Sequence, residues 1–501
     1  MSIGARASTR VAIASAWLVI GRFLARGFDL ASLFVLGRLL GPSEFGVIAT
    51  AMTLIYIVEA ICELPVSQVL VRTPDLTPRL LDTAFTLSLL RGVFLALVIV
   101  ALAFPFATFA DDPHLVSLIC VLGLAPAVRG LASPRLVIFA RAIDFRREFL
   151  LDVAARFGTF IVSLIVALET HSYWALAAGT VTAPVVTMII SYVMAPYRPR
   201  LTLVEWRIFV NLLGWNTISQ IFVAISWQID RFILGGYAAR ADFGRFAVAN
   251  DIAAMPYQTL VYPLIRPLVA GFSTVADDIG RLRAAYLKCC QAIALLGAPV
   301  FVGIAVLSDQ IVHVALGAAW SDAGPLLAYF ALSSVIPLLK IPFGSLVITI
   351  NRAVYLVWAG ISILVIKTAV VVVAFWYYGL YGVAVGRIIF EALGTFFSMY
   401  LMYRLVGLGI MQQLRAGARP FLCAALMGLC LWPITRSMPV EPVNSTLLLS
   451  MAGIVVLGAV IYTGSAALLW RLGGRPSGVE EIVLSWLVRI WSFMPWRRTP
   501  V

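Results

Sequence analysis

Apolar runs long enough to cross a lipid bilayer recur along nearly the whole of this chain. A helix rises 1.5 Å per residue, so about 20 consecutive apolar residues cover the hydrocarbon core. Fourteen segments meet that criterion, at approximately 12–36, 44–66, 82–106, 114–133, 149–169, 173–195, 208–234, 242–270, 284–308, 322–347, 353–376, 380–403, 417–436 and 446–470. No segment repeats the two-residue alternation of a membrane β-barrel, which excludes that architecture. Composition closes the remaining routes. Only 12% of the 501 residues are charged and 62% are hydrophobic, whereas soluble domains carry roughly 25% and 45–50%. Helices so poor in polar residues have no face to offer water. Soluble enzymes, disordered chains and secreted scaffolds are excluded, and the chain reads as an all-α polytopic membrane protein.

The net charge of +13 would point to nucleic acid in a soluble chain. Here it reports topology, because membrane proteins gather Arg and Lys on cytoplasmic loops. Alternating the loops from a cytoplasmic N-terminus puts 24 of the 37 basic residues on the inner side and 4 on the outer side. That asymmetry implies an even number of spans with both termini cytoplasmic. Arg6 and Arg10 precede the first apolar stretch, which continues for a full span and so does not read as a cleaved signal. No long hydrophilic segment interrupts the pattern, so the activity is expected within the bilayer. Residues 479–496 (VEEIVLSWLVRIWSFMPW), followed by Arg497 and Arg498, have the pattern of an amphipathic helix on the membrane surface.

The sequence repeats itself. A shift of 198 residues lays Leu36-Gly37 on Leu234-Gly235 and Glu44-Phe45-Gly46 on Asp242-Phe243-Gly244. A shift of 207 lays Trp174–Gly179 (WALAAG) on Tyr381–Gly386 (YGVAVG). In order and in corresponding places, these echoes define two related six-helix halves, 1–207 and 208–405, with two further helices in 406–470 and a cytoplasmic tail in 471–501. An even number of spans per half makes the repeats parallel, an arrangement used by transporters that rock two bundles about a central site.

Ionisable side chains inside the spans cost about 2.5–3.5 kcal/mol each on insertion scales and mark candidate sites. Arg22, Arg26 and Asp29 share one face of the first span, and Glu59 and Glu63 lie a turn apart in the second. Arg91, Asp251, Arg266, Lys340 and Lys367 follow in later spans. Some of these have plain structural readings. Asp152–Arg156 and Arg387–Glu391 have intrahelical pair spacing, Asp230-Arg231 marks an interface, and Arg266 lies where it would snorkel, as does the more central Lys367. Arg22 and Arg26, two cations facing one acid, resist such a reading. A cavity lined by Arg22, Arg26, Arg91, Arg266 and Lys340 would select an anionic cargo, and the guanidinium fork matches phosphate oxygens. Asp29, Glu59 and Asp251 read equally as proton or sodium coupling sites and as counter-ions. Asn211, Asn216, Gln220 and Asn250 would ease the passage of sugars or hydrogen-bond between helices.

Enzyme signatures are missing. His114, His171 and His313 fall in outer loops without metal spacing, and the six cysteines (Cys62, Cys120, Cys289, Cys290, Cys423, Cys430) sit in apolar stretches as small hydrophobes. No glycine-rich phosphate loop with its Lys is present, and Asp111-Asp112 reads as a solvated turn. No cofactor or metal is expected, and no nucleic-acid partner.

The stretch QIDRFILGGYAARADFGRFAVANDIAAMPYQTLVYPLIRPLVAGFS (228–273) resembles the seventh and eighth helices of bacterial polysaccharide-transport flippases of the Wzx type. LGRLLGPSEFGVIATAMTL (36–54), RAIDFRREFLLDVAARF (141–157) and the INR turn (350–352) are similar to the same family, and the resemblance runs from about residue 10 to 405. It implies the V-shaped fold of the multidrug/oligosaccharidyl-lipid/polysaccharide exporters, which alternates access in the bacterial inner membrane. It implies as cargo an undecaprenyl-diphosphate-linked oligosaccharide repeat unit, destined for exopolysaccharide, O-antigen or capsule. The diphosphate would be held by cavity cations, with Arg22, Arg26 and Arg266 matching best by placement. Membrane lipids, a polysaccharide polymerase and chain-length or export machinery are the partners it implies. A multidrug antiporter of the same fold would want an acidic cavity, and a polymerase or ligase would need a larger outer loop than 308–321. A lipid II flippase is a close variant of the first reading.

Overall fold

The apolar runs fold as helices whose ends are set by proline, glycine and hydroxyl side chains. The computed structural model describes residues 24–142, 144–211, 215–352, 354–441, 443–472 and 474, with no strand among them. The first half of the first span, with Arg22, and the amphipathic segment 479–496 lie outside the described residues. Helix α1 is described over residues 24–39 and is followed by α2 (Pro42–Ile61), which begins on a proline. Proline suits that first helical position, where its missing N–H is not needed. The short α3 (Val66–Arg72) leads into α4 (Pro78–Phe109), capped by Thr77, whose hydroxyl accepts from the Leu80 amide at 3.2 Å. Next come α5 (His114–Leu122), α6 (Leu124–Arg129), α7 (Val137–Arg141), α8 (Phe145–Thr170) and α9 (Trp174–Met194). Helices α10 (Trp206–Asn211), α11 (Trp215–Tyr237) and α12 (Arg240–Pro256) complete the first part of the chain.

Two compact units divide the molecule. The first takes the chain up to Val248, together with Ala315–Ser321 and Gly360–Val372. Its core joins α2, α4, α5 and α9 through Ala51, Ile99, Leu118, Ile119, Leu122 and Ala177, none of them accessible to solvent. A smaller cluster ties α3, α4, α7 and α10 through Leu70, Leu80, Val137 and Phe209. The extended stretch between α9 and α10 is sewn onto α4. Tyr197 and the Arg200 amide both donate to the Asp82 carboxylate, at 2.7 and 2.9 Å, and the Thr202 amide donates to Thr86 Oγ1 at 3.0 Å. Burial, and then the Asp82 hydrogen bond, push the Tyr197 phenol above its ordinary range and keep it a neutral donor.

The second unit holds Ala249–Val314, Asp322–Ala359 and the chain from Val373 onward. It contains α13 (Ile265–Ser273), α14 (Ile279–Val306), α15 (Ser308–Leu316, as far as Val314), α16 (Ala323–Ser333) and α17 (Ile341–Thr349). It also takes most of α18 (Val354–Val406), with α19 (Ile410–Arg436) and α20 (Ser445–Leu472). Helix α14 is its axis: Cys290 and Ala294 meet Phe343, Leu346 and Met402, while Ala298 and Phe301 belong to a cluster with Cys423, Met427 and Ile454. The last two helices are therefore built into this core, and Tyr462 on α20 donates to the Leu295 carbonyl at 2.8 Å. Leu97, Phe104, Val193, Leu449 and Val456 stay exposed on helix surfaces. Such apolar exposure suits a surface that meets lipid.

Several spans are broken where straight helices are expected. The span at 242–270 stops at Pro256, continues as a π turn (Tyr257–Val261) and a 3-10 turn (Tyr262–Leu264), and resumes as α13. The span at 322–347 is interrupted by a 3-10 turn at Ile336–Lys340. Pro256, Pro263, Pro337 and Pro342 account for both breaks, since each removes a donor from the helical ladder. The fourth span is jointed as well, with His114–Arg129 and Pro134–Arg141 meeting at 58°. Among the described residues, nine helices are long and apolar enough to cross a membrane, and that bent pair would add a tenth. One of the nine is α18, whose 53 residues would run about 80 Å if straight. It turns at Gly379, where φ is +62° and ψ −149°, and a Cβ on Gly382 would strike the Ala374 carbonyl. The break falls in the gap expected between spans 353–376 and 380–403.

The two echoed turns, 36–46 and 234–244, meet within the first unit. Helices α2 and α12 begin at Pro42 and Arg240, positions related by the 198-residue shift. A Cβ on Gly46 would collide with the Arg240 carbonyl oxygen, and a Cβ on the equivalent Gly244 would collide with the Pro42 carbonyl oxygen. Each echoed turn thus presents its glycine to the first helical carbonyl of the other. Gly46→Ala and Gly244→Ala should each lower the melting midpoint in detergent, costing at least about 2 kcal/mol by overpacking against backbone. Gly303→Ala, where a Cβ has nothing within 4 Å, should leave the midpoint unchanged or raise it slightly.

Candidate functional site

The charges within the spans are satisfied in several distinct ways. In the first unit, Arg26 on α1 donates to Asp29 at 3.2 Å, and Asp29 also receives Arg156 from α8. Arg156 pairs in addition with Asp152, one turn back, at 3.2 Å, as its spacing predicts. Two arginines and two aspartates therefore form one chain of ion pairs joining α1 to α8. All four are partly exposed, Arg26 at 32% and Asp152 at 52% of the side chain.

Arg91 on α4 reaches the end of α2. Its Nε donates to the Cys62 carbonyl at 2.7 Å and its terminal nitrogen to the Glu59 carbonyl at 3.4 Å. Those carbonyls have no partner within their own helix, and a cation there also meets the negative end of the helix dipole. The Glu59 carboxylate is taken by Arg129 at 2.9 Å.

Lys367, expected to snorkel, does not. It is 5% exposed, pairs with Asp230 of α11 at 3.2 Å and donates to the Ser226 carbonyl. Asp230 is 6% exposed, so this is a buried ion pair inside the first unit, and the segment Gly360–Val372 is docked there by it.

In the second unit, Lys340 ends the 3-10 turn before α17 and donates to Glu391 of α18 at 2.7 Å. Arg387 and Glu391 reach to other helices in place of the intrahelical pair their spacing predicts: Arg387 donates to Asn250 of α12 and lies over the Phe330 ring at 5.1 Å. Arg266 is the second residue of α13, just past the broken turn, and Asp251 is exposed on α12. Of the expected site residues, the structure brings Arg26 and Asp29 together in one network and Lys340 into a pair with Glu391. Arg91 and Glu59 meet only through backbone, at the end of α2. Sequence reasoning missed the partners Asp29–Arg156, Asp230–Lys367 and Asn250–Arg387, because each lies more than 120 residues away in the chain. Among the described residues, no group of three or more His, Cys, Asp or Glu side chains is arranged to hold a metal ion.

These features define a multi-pass α-helical membrane protein. It is similar over 90% of its length to the lipid II flippase MurJ in an inward closed conformation, covering 98% of that chain with a TM-score of 0.71 at 12% identity. A multidrug resistance transporter of the MATE family in an inward-facing conformation matches 76% of this chain and 94% of its own, with a TM-score of 0.63 at 16% identity. The profile of the polysaccharide biosynthesis protein family matches residues 35–325, and the chain belongs to that family. Among its relatives are the succinoglycan biosynthesis transport protein ExoT of Rhizobium meliloti (strain 1021), 22% identical over 89% of this chain and 90% of the relative. The lipopolysaccharide biosynthesis protein WzxC of Escherichia coli (strain K12) is 21% identical over 77% of this chain and 80% of its own.

The buried pair yields a quantitative expectation. Lys367→Ala leaves Asp230 without its buried counter-charge and should cost about 3–5 kcal/mol, read as a loss of thermal stability or of folded yield. Replacing both partners, Lys367→Met with Asp230→Leu, should recover most of that loss. Equal losses in the single and double variants would mean that the pair is not what holds this segment.

Proposed function

We propose that this protein is a flippase that carries a lipid-linked oligosaccharide from the inner to the outer leaflet of the bacterial cytoplasmic membrane during surface polysaccharide biosynthesis. The observation that carries this reading is the joining of a polysaccharide-biosynthesis family profile to a fold shared along nearly the whole chain with a lipid-carrier flippase. The relatives named as a succinoglycan transport protein and a lipopolysaccharide biosynthesis protein support the same class of cargo. The carrier is undecaprenyl diphosphate, both termini are cytoplasmic, and a polymerase with its export machinery takes the product on the outer side.

In this mechanism the diphosphate is taken by the cations the sequence marks, Arg22, Arg26, Arg91, Arg266 and Lys340, with the prenyl tail left in lipid. Arg26 offers the first contact, since it is partly exposed and shares Asp29 with Arg156. A diphosphate oxygen competes with Asp29 for that guanidinium, so the charge released by one partner is taken up by the other. Asp29 and Glu59, each already holding an arginine, act as counter-ions. Asp251, exposed on α12, is the position where proton or sodium coupling would act. The two six-helix halves, 1–207 and 208–405, then rock to open the cavity outward.

The test is complementation of a deletion strain. Arg26→Ala removes a charge-assisted contact worth about 1.5–3 kcal/mol, so polymer output should fall about tenfold or more at normal protein level, with lipid-linked precursor retained on the inner leaflet. Arg26→Lys should keep part of the activity, losing the fork but not the charge. Unchanged polymer together with altered export of a cationic dye would replace the flippase reading with a drug antiporter.

A further inference from the structure

Arg387 is held in a way that no other intramembrane cation described above is held. It lies eight residues beyond the Gly379 turn of α18, about 12 Å along the helix, and is half-buried. Its described partners are neutral: the Asn250 amide oxygen, which takes one terminal nitrogen, and the face of Phe330, itself fully buried. Its Nε is buried without a hydrogen-bond partner. The acid one turn along the same helix, Glu391, is engaged by Lys340 at 2.7 Å. An amide dipole and a ring quadrupole steady a guanidinium but do not cancel its charge. Against that, Arg26 and Arg156 each have a carboxylate, and Arg91 has the negative end of a helix.

We infer that Arg387, positioned by Asn250 and Phe330, is an oxyanion-binding residue for the cargo, additional to the Arg26 network. The inference rests on the flippase reading for the identity of the cargo. Asn250 fixes one nitrogen and Phe330 fixes the guanidinium plane, so the remaining donors lose little freedom when an anion arrives. The ligand is a planar or tetrahedral oxyanion. Two parts of a lipid-linked sugar supply one: the diphosphate of the carrier, or the carboxylate of an acidic sugar.

Binding to the purified full chain in nanodiscs tests this, using inorganic pyrophosphate and glucuronate as separate probes, titrated calorimetrically against wild type, Arg387→Gln, Arg387→Lys, Asn250→Ala and Arg26→Gln. Arg387→Gln should weaken one of the two probes at least tenfold, and the probe affected names the anion. Arg387→Lys should weaken the same probe by less, and Asn250→Ala should weaken it with the charge still present. Arg26→Gln reports its own site and should leave the Arg387-dependent increment intact. Unchanged affinity in Arg387→Gln, or no binding of either probe to wild type, overturns the inference. Should Arg387→Gln fail to fold, Asn250→Ala decides, because it keeps the arginine and frees it: unchanged affinity there also overturns the inference. Failure of the flippase reading shows separately, as normal polymer output and precursor distribution in the deletion strain.

Discussion

A charge at bilayer depth must be held by something other than bulk water, and this requirement organises the molecule. Insertion scales put the cost at about 2.5–3.5 kcal/mol for each such residue, so the partner found for each one shapes the helix packing around it. Asp29 draws α8 to α1, Lys367 draws the segment Gly360–Val372 to α11, and Lys340 draws the start of α17 to α18. Arg91 closes the end of α2. The partners differ in how much charge they leave over. A buried carboxylate leaves almost none, a helix terminus leaves about half, and an amide with an aromatic face leaves most of it.

The same constraint explains where the helices break. Backbone groups freed inside a membrane are tolerated where they are buried in protein or line a polar cavity. Two of the expected cargo cations stand at such breaks, Lys340 at the last residue of a 3-10 turn and Arg266 just after another. Interrupted helices of this kind recur in transporters, where the unwound backbone supplies polar groups at mid-membrane. The prolines at the breaks, Pro263 and Pro337 among them, stand beside the same cations.

The features legible in the sequence were those fixed by local pattern. Apolar length gave the helices, charge asymmetry the expected topology, and the 198-residue echo a contact: Gly46 and Gly244, matched as letters, are the two residues packed against each other's repeat. The intrahelical pair Asp152–Arg156 was legible for the same reason, as both ends lie on one helix. Arg387 and Glu391 have the same spacing but were drawn to other helices, Glu391 by Lys340 and Arg387 by Asn250. Spacing states what two residues could do alone; tertiary neighbours offered each a better partner. Lys367 and Asp230 lie more than 130 residues apart in the chain, and no periodicity encodes such a contact. The helix breaks were legible only as prolines, since a proline in a membrane span is compatible with a kink, a π turn or a full interruption.

A carrier has to release what it binds, and the resident carboxylates bear on that requirement. A cluster of bare arginines would hold a diphosphate tightly in every conformation, which lowers affinity differences between states and so stalls transport. With Asp29 between Arg26 and Arg156, cargo binding under the proposed function would be an exchange of one anion for another. The Coulombic gain on binding is then offset by the ion pair that is broken, and the net affinity stays within reach of a change in helix position. An arginine with neutral partners has the complementary property. Arg387 has no carboxylate among its described partners to return to, so the anion it holds must be drawn away by a competing site or by a movement of Asn250 or Phe330. The two arginines thus represent two ways of holding a guanidinium, one already paired with carboxylates and one with neutral partners only.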